Sequence, residues 1–374
     1  VEVRIEEAGR IIKRLYELGD RTTTLLLGGT GIGKSEIVKQ VARELASEIG
    51  KEFVDYHDDI ANEILSEPDK YFVFVDLRLT EVEPSDLIGV PRDDDGSVRF
   101  KPLLWGKVLS KCAGILFLDE ITNVQRLDVQ SAMYKLLLDR KVGFIKMHED
   151  VFVIAAGNRP EDSSLAVELP TPAIGRVRIL RCKVPSLEMW SEYMDETYGD
   201  KWDRRVIAFL AKNRELFYSP PEEGETLEAF AVPRTWTALA KVSHELSGSE
   251  LEAVAYGTVG GRAASHFLAF VNMNLPDVNV LLSNPAIWER FDTNAKYFMS
   301  LQVTSKLAED IDNGEGLKNV RKFFDYLLSN DREFLVLINM FMKKAYKVKL
   351  VRLYKQEGQE YKEFLKSLYK RCLA

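Results

Sequence analysis

The segment GGTGIGKS at residues 28–35 has the spacing G-x-x-x-x-G-K-[ST], and that spacing implies a chemistry. Glycines let the backbone close around an anion, so that successive N–H groups and the start of the next helix face phosphate oxygens. Gly28, Gly29, Thr30, Gly31, Ile32 and Gly33 are therefore candidates for cradling phosphates, together with Lys34, Ser35 and Glu36. Lys34 is placed to reach the β- and γ-phosphates of a nucleoside triphosphate, and Ser35 to ligate Mg²⁺. A second stretch, GILFLDE at 114–120, drives an apolar run into two adjacent carboxylates. Asp119 is the candidate holder of Mg²⁺ through water, and Glu120 the candidate that polarises an attacking water. Asn158, closing VFVIAAGN, offers a neutral amide to a lytic water or a γ-phosphate. Arg176, just before VRILRCKV, is a candidate for neutralising transition-state charge, with Arg178 and Arg181 as alternatives. Arg234 in FAVPRTW (230–236) follows a proline suited to a first helical turn, where the missing N–H costs nothing.

These residues need elements to place them. TTTLLL (22–27), YFVFVDLRL (71–79), 114–120, 151–158 and 177–184 read as strands. Helical spacing marks 6–18, 34–49 and 126–139, and a further helix is expected over 52–66. Strands alternating with helices imply a parallel sheet, with ligands bound beyond the carboxyl ends of its strands. The candidate residues after three of those strands then share one sheet edge. Two hairpin-like inserts interrupt the alternation, IGVPRDDDGSVRF (88–100), with the turn signal Asp95–Gly96, and RKVGFIKMHED (140–150). Beyond residue 184 the chain reads as helices separated by SPPEEGE (219–225), NLPD (274–277) and DNGEG (312–316). The segment 332–372 reads as one or two amphipathic helices ending in basic residues.

Composition narrows the class. The 374 residues are 46% hydrophobic and 29% charged, enough for two or three domains with sizeable cores. No apolar run approaches the ~18–20 residues that span a membrane. The opening VEVRIEEAGRIIKRL lacks a signal-peptide core, so a soluble, cytoplasmic protein is expected. Cys112, Cys182 and Cys372 are far apart and form no CxxC, which points away from zinc and from a disulfide framework. HELSG (244–248) stops short of HExxH because Gly248 takes the place of the second histidine. The net charge of −7 argues against a surface committed to nucleic acid, although it leaves room for a local basic channel.

The order of these motifs resembles that of the AAA+ ATPases. Within them DLRLTEVEPSDLIGVP (76–91), LLLDRKVGFIKMHEDVFVIAAGNRP (136–160), FAVPRTWTALAK (230–241) and VGGRAASHFLAFV (259–271) resemble the MoxR branch of phage, viral and archaeal genomes. The resemblance covers about residues 20–272 well and the remainder weakly. It implies an α/β P-loop NTPase fold, a three-layer parallel-sheet core over 1–184, then an all-α lid over 185–272 and a C-terminal helical extension over 273–374. It also implies Mg²⁺-dependent ATP hydrolysis, with Asp119 and Glu120 as Walker B and Asn158 as sensor 1. Arg234 would be sensor 2, and Arg176 an arginine finger acting on the neighbouring subunit's ATP. AIGRV stands where the family commonly has an Asp/Asn-Arg-Phe triplet. No NKxD-type guanine motif appears, which favours ATP. The implied assembly is a ring, usually a hexamer, remodelling a protein partner such as a von Willebrand A-type protein. The alternative is a nucleic-acid motor. Arg140, Lys141 and Lys146 of the second insert would suit it, whereas Asp93–Asp95 and the acidic total count against it. A non-hydrolysing scaffold would not need Lys34, Asp119, Glu120 and Arg176 together.

Overall fold

The computed structural model describes residues 1–162, 166, 171–221 and 228–357. Residues 222–225 of SPPEEGE, residues 169–170 ahead of TPAIGRV, and 358–372 of the C-terminal amphipathic segment lie outside the described residues. The chain forms two compact units, Val1–Pro185 and a second that starts at Ser186.

The first unit is built on seven strands: β1 (Glu2–Arg4), β2 (Thr24–Leu27), β3 (Glu52–Asp55), β4 (Tyr71–Arg78), β7 (Ala113–Asp119), β10 (Val151–Gly157) and β11 (Arg178–Lys183). All neighbours are parallel, in the order β1-β11-β2-β10-β7-β4-β3. The helices of this unit are α1 (Ile5–Glu17), α2 (Lys34–Glu48), α3 (Ala61–Ser66), α4 (Pro84–Ile88), α5 (Leu104–Leu109), α6 (Leu127–Asp139) and α7 (Thr171–Ile174). The central strands are apolar at nearly every position because both faces are covered. On one face Leu25, Val73, Leu116, Leu118 and Val153 join a core with Leu109, Met133 and Leu136 of α5 and α6. On the other, Phe72 meets the Tyr16 ring of α1 at 5.7 Å and Phe74 stacks on Phe117 at 6.1 Å. Alternate side chains of one strand thus feed two separate cores.

Two strands depart from the sequence expectation. Residues 52–66 do not form one helix. Glu52–Asp55 is an edge strand beside β4, and helix begins only at Ala61 after a 3₁₀ turn. The β-branched Val54 beside Phe53 suits a strand, and β4 supplies the hydrogen-bonding partner that helical periodicity cannot reveal. Glu2–Arg4 likewise gains strand form only by pairing with β11. Both inserts are antiparallel hairpins, β5 (Val90–Asp94) with β6 (Ser97–Lys101) and β8 (Lys141–Val142) with β9 (Ile145–Lys146). They touch through Phe100 and Phe144, whose ring centroids are 5.9 Å apart. Gly143 has φ +59°, and a Cβ there would lie 2.0 Å from the Ile88 carbonyl oxygen, so only glycine fits.

The described elements of the second unit are helical: α8 (Leu187–Tyr198), α9 (Arg205–Lys212), α10 (Pro233–Ala240), α11 (Gly248–Val259), α12 (Gly261–Val271), α13 (Val278–Ser283), α14 (Thr293–Asp312), α15 (Arg321–Asn330), α16 (Glu333–Phe341) and α17 (Lys344–Glu357). Trp236 is wholly buried against Phe209 and Phe267, and its Nε1–H donates to the Leu216 carbonyl at 2.7 Å. A further core gathers around Trp288, with Phe323 and Phe334 at 5.1 and 5.0 Å. No helix of the described residues is long and apolar enough to cross a membrane.

Candidate active site

β2 leaves the core at Leu27 and the chain must turn at once into α2. Gly28 has no room for a side chain, since a Cβ would lie 2.6 Å from the Cys182 carbonyl oxygen. Gly31 and Gly33 take φ of 68° and 96°, left-handed values that cost a glycine little. Gly33 caps α2, so the loop's N–H groups and the positive end of the helix face the same space. Lys34 is almost fully buried. Its Nζ donates to the carbonyls of Gly28 (2.7 Å) and Gly29 (2.9 Å) and to Asn158 Oδ1 (3.1 Å). Ser35 Oγ donates to Asp119 Oδ2 at 2.8 Å. Residues from three adjacent strand ends, β2, β10 and β7, therefore meet within hydrogen-bond distance at one sheet edge.

Glu120 follows β7 with φ 58° and ψ 32°. A left-handed residue with a side chain costs roughly 1–2 kcal/mol, and such strain gathers at sites where direction matters. The turn aims the Glu120 carboxylate at the end of β4, where Thr80 Oγ1 donates to Oε2 at 2.9 Å and Arg78 Nε lies 3.8 Å from Oε1. The Glu120 N–H donates to Asp119 Oδ1 at 2.8 Å. Behind it, Thr122 Oγ1 accepts the Asn158 N–H at 2.9 Å. Sequence reasoning did not single out Thr80 or Thr122. Thr80 could have been found as the polar residue two places beyond the end of β4, on the edge that carries Asp119.

Asp76, on β4, is the other residue the motifs did not name. Partial removal from water, then the nearby Asp119 carboxylate, push its pKa up to about 6, against the pull of Arg78 and Lys39. A carboxyl whose pKa rises on folding holds an extra proton in the native state, so stability falls as pH climbs from about 4 through about 6. Asp76→Asn is therefore expected to be more stable than the parent above pH 6, with the gap closing toward pH 4. Because the side chain keeps much of its contact with water, the gain is at most about 1 kcal/mol. Denaturant midpoints at pH 8 and pH 4 check this; a gap that does not change with pH would rule out the titration.

The arginines fall into different settings. Arg176 follows α7, is exposed, and has no side-chain partner among the described residues. Arg178 pairs with Asp20 at 2.7 Å, and Arg181 is exposed on β11. Arg234 is the second residue of α10 in the second unit and is exposed there. Arg140 does not extend the basic surface of the second insert. Its guanidinium donates to the carbonyls of His148, Glu149 and Val151, and burial holds its pKa below the usual arginine value. Lys141 and Lys146 remain exposed.

The Ser35 hydroxyl and Asp119 carboxylate are hard oxygen donors side by side. That set fits Mg²⁺, which takes one or two protein oxygens and completes its shell with water and substrate phosphates.

Residues 24–176 match the model of the AAA family, the ATPase family associated with various cellular activities. With seven parallel strands in the order above, the first unit has the AAA+ P-loop NTPase fold, and a helical region follows it. No curated protein matches the sequence. Similar solved structures include NtrX from Brucella abortus in complex with ADP, 16% identical over 87% of this chain and 69% of that one, with a TM-score of 0.38. The E. coli MS115-1 HORMA:CdnC:Trip13 complex gives 12% identity, 72% and 88% coverage and a TM-score of 0.35. C. elegans PCH-2 gives 16%, 70% and 67%, and 0.32.

Proposed function

We propose that this chain, with an AAA-type domain over residues 24–176, is a MoxR-like ATPase whose subunits form a ring and remodel a protein partner. The observation that carries the reading is the meeting of Lys34 with Asn158 and of Ser35 with Asp119, beside a Glu120 turned out by a left-handed backbone. The phosphates of ATP sit on the loop 28–35, with the Lys34 ammonium exchanging carbonyl partners for β- and γ-oxygens. Ser35 and Asp119 would hold Mg²⁺, which supplies charge neutralisation at those oxygens. Glu120 takes a proton from the water as its oxygen bonds to the γ-phosphorus. The bond from that phosphorus to the bridging oxygen breaks, leaving ADP and inorganic phosphate. Asn158 orients the γ-phosphate or the water without adding charge.

In this reading residues 1–184 are the nucleotide-binding core, 185–272 the lid and 273–374 an extension. Arg234 answers to the γ-phosphate of its own subunit, and Arg176 to that of its neighbour. Loss of the γ-phosphate removes contacts that favour one lid position, and a ligand shifts a conformational equilibrium only through such differences. A protein partner, for instance of the von Willebrand A type, suits the acidic surface better than DNA does, and the inward use of Arg140 removes one cation from the rival reading.

With ATP and Mg²⁺ the purified chain is expected to release phosphate and to shift to a closed oligomer, read by phosphate assay and light scattering. Release no faster than in buffer would overturn the enzyme reading. A monomer in every nucleotide state would overturn the ring.

A further inference from the structure

Asn158 is the first residue beyond β10, and its N–H has left the ladder. The register with β2 ends at Gly157↔Leu27 and that with β7 at Ala155↔Leu118. Thr122 provides the acceptor instead, 2.9 Å away. Thr122 is 5% exposed and sits in the 3₁₀ turn Ile121–Asn123, two residues after Glu120. The fit around it is tight, since a Cβ on Gly157 would lie 2.8 Å from both Thr122 Cγ2 and Oγ1. On the far side of Asn158, Oδ1 accepts from Lys34. A continuous path thus runs from the Glu120 turn through Thr122 and Asn158 to the phosphate-binding loop.

We infer that Thr122 is a positioning residue that sets the spacing between Glu120 and Asn158, and so the place of the γ-phosphate relative to the base. The inference rests on the ATP-hydrolysis reading. Threonine meets two demands at once: its hydroxyl oxygen accepts the stranded N–H, and its methyl fills the space that Gly157 leaves. Valine keeps the shape and removes the acceptor. An amide left without a partner turns toward another, which moves Asn158. A displacement near 1 Å in a reacting array costs on the order of a hundredfold in rate.

The test compares the parent with Thr122→Val and Thr122→Ser. For valine, kcat is expected to fall between about ten- and a hundredfold, while affinity for a fluorescent ATP analogue stays within about threefold. Hydrogen exchange at the Asn158 amide, read without nucleotide, should quicken by about tenfold or more. Serine should keep all three readings near the parent. Unchanged exchange in the valine variant overturns the inference. So does a serine variant as impaired as valine, or a loss of nucleotide affinity that matches the loss of turnover. If the parent itself shows no turnover, the hydrolysis reading falls, and the exchange comparison still decides whether Thr122 holds Asn158. Should valine not fold, Thr122→Ala carries the same comparison.

Discussion

Replacing Glu120 with glutamine is expected to lower ATP turnover by about a hundredfold or more while leaving ATP binding intact, because a positioned general base contributes roughly 10²–10⁴ in rate. The change is a clean one in this setting. Glutamine tolerates the left-handed backbone as well as glutamate does, and its amide oxygen can still accept from Thr80. Lys34, Ser35 and Asp119 keep their own contacts, so the phosphate-binding loop is not disturbed. What is lost is the ability to take a proton from water. Single-turnover phosphate release alongside equilibrium binding of ATP checks this. Turnover within a few-fold of the parent would remove Glu120 from the reaction and leave its strained backbone without a purpose.

Arg176→Ala carries the second large effect, about 10³–10⁵ in rate where an arginine neutralises transition-state charge. Stability should change by no more than about 0.5 kcal/mol, since Arg176 is exposed and has no side-chain partner among the described residues. The informative experiment mixes variant and parent subunits. If Arg176 acts on the neighbour's ATP, activity falls faster than the fraction of variant added, because one variant subunit disables a site built by another. A strictly proportional fall would return Arg176 to its own subunit or to no role. Arg178→Ala serves as the contrast: its guanidinium is engaged by Asp20, so its loss should be felt in stability before turnover.

The residues that local motifs single out come together in the structure, Lys34 with Asn158 and Ser35 with Asp119. A phosphate-binding loop needs glycines at fixed places between strand and helix, and Asp119 needs only an apolar run before it, so both are written in consecutive residues. Strand order is not written that way. Glu2–Arg4 and Glu52–Asp55 are strands because β11 and β4 lie beside them, and a helical expectation over 52–66 had no view of that partner. Thr80 and Thr122 are similar cases. Each acts across the site, on Glu120 and on Asn158, from a loop whose own sequence carries no pattern. Arg140 shows the reverse error. A basic residue on a hairpin reads as a surface charge until the carbonyls that receive it are known.

The hairpins at 90–101 and 141–146 are some forty residues apart in the chain, yet they share a fastening. Both contacts join the turn of the second hairpin to the base of the first: Gly143 presses its backbone against Ile88, which leads directly into the first hairpin, and Phe144 lies on Phe100, the residue opposite Pro91. A tilt of either hairpin must drag its fellow or break an aromatic contact. The second hairpin is spliced between α6 and β10, the strand that ends at Gly157 just before Asn158. The first lies between α4, which follows β4, and α5, which leads into β7, the strand that ends at Asp119. With the turn of the second seated on the root of the first, the pair is one jointed arm whose free tip is the Asp95–Gly96 turn.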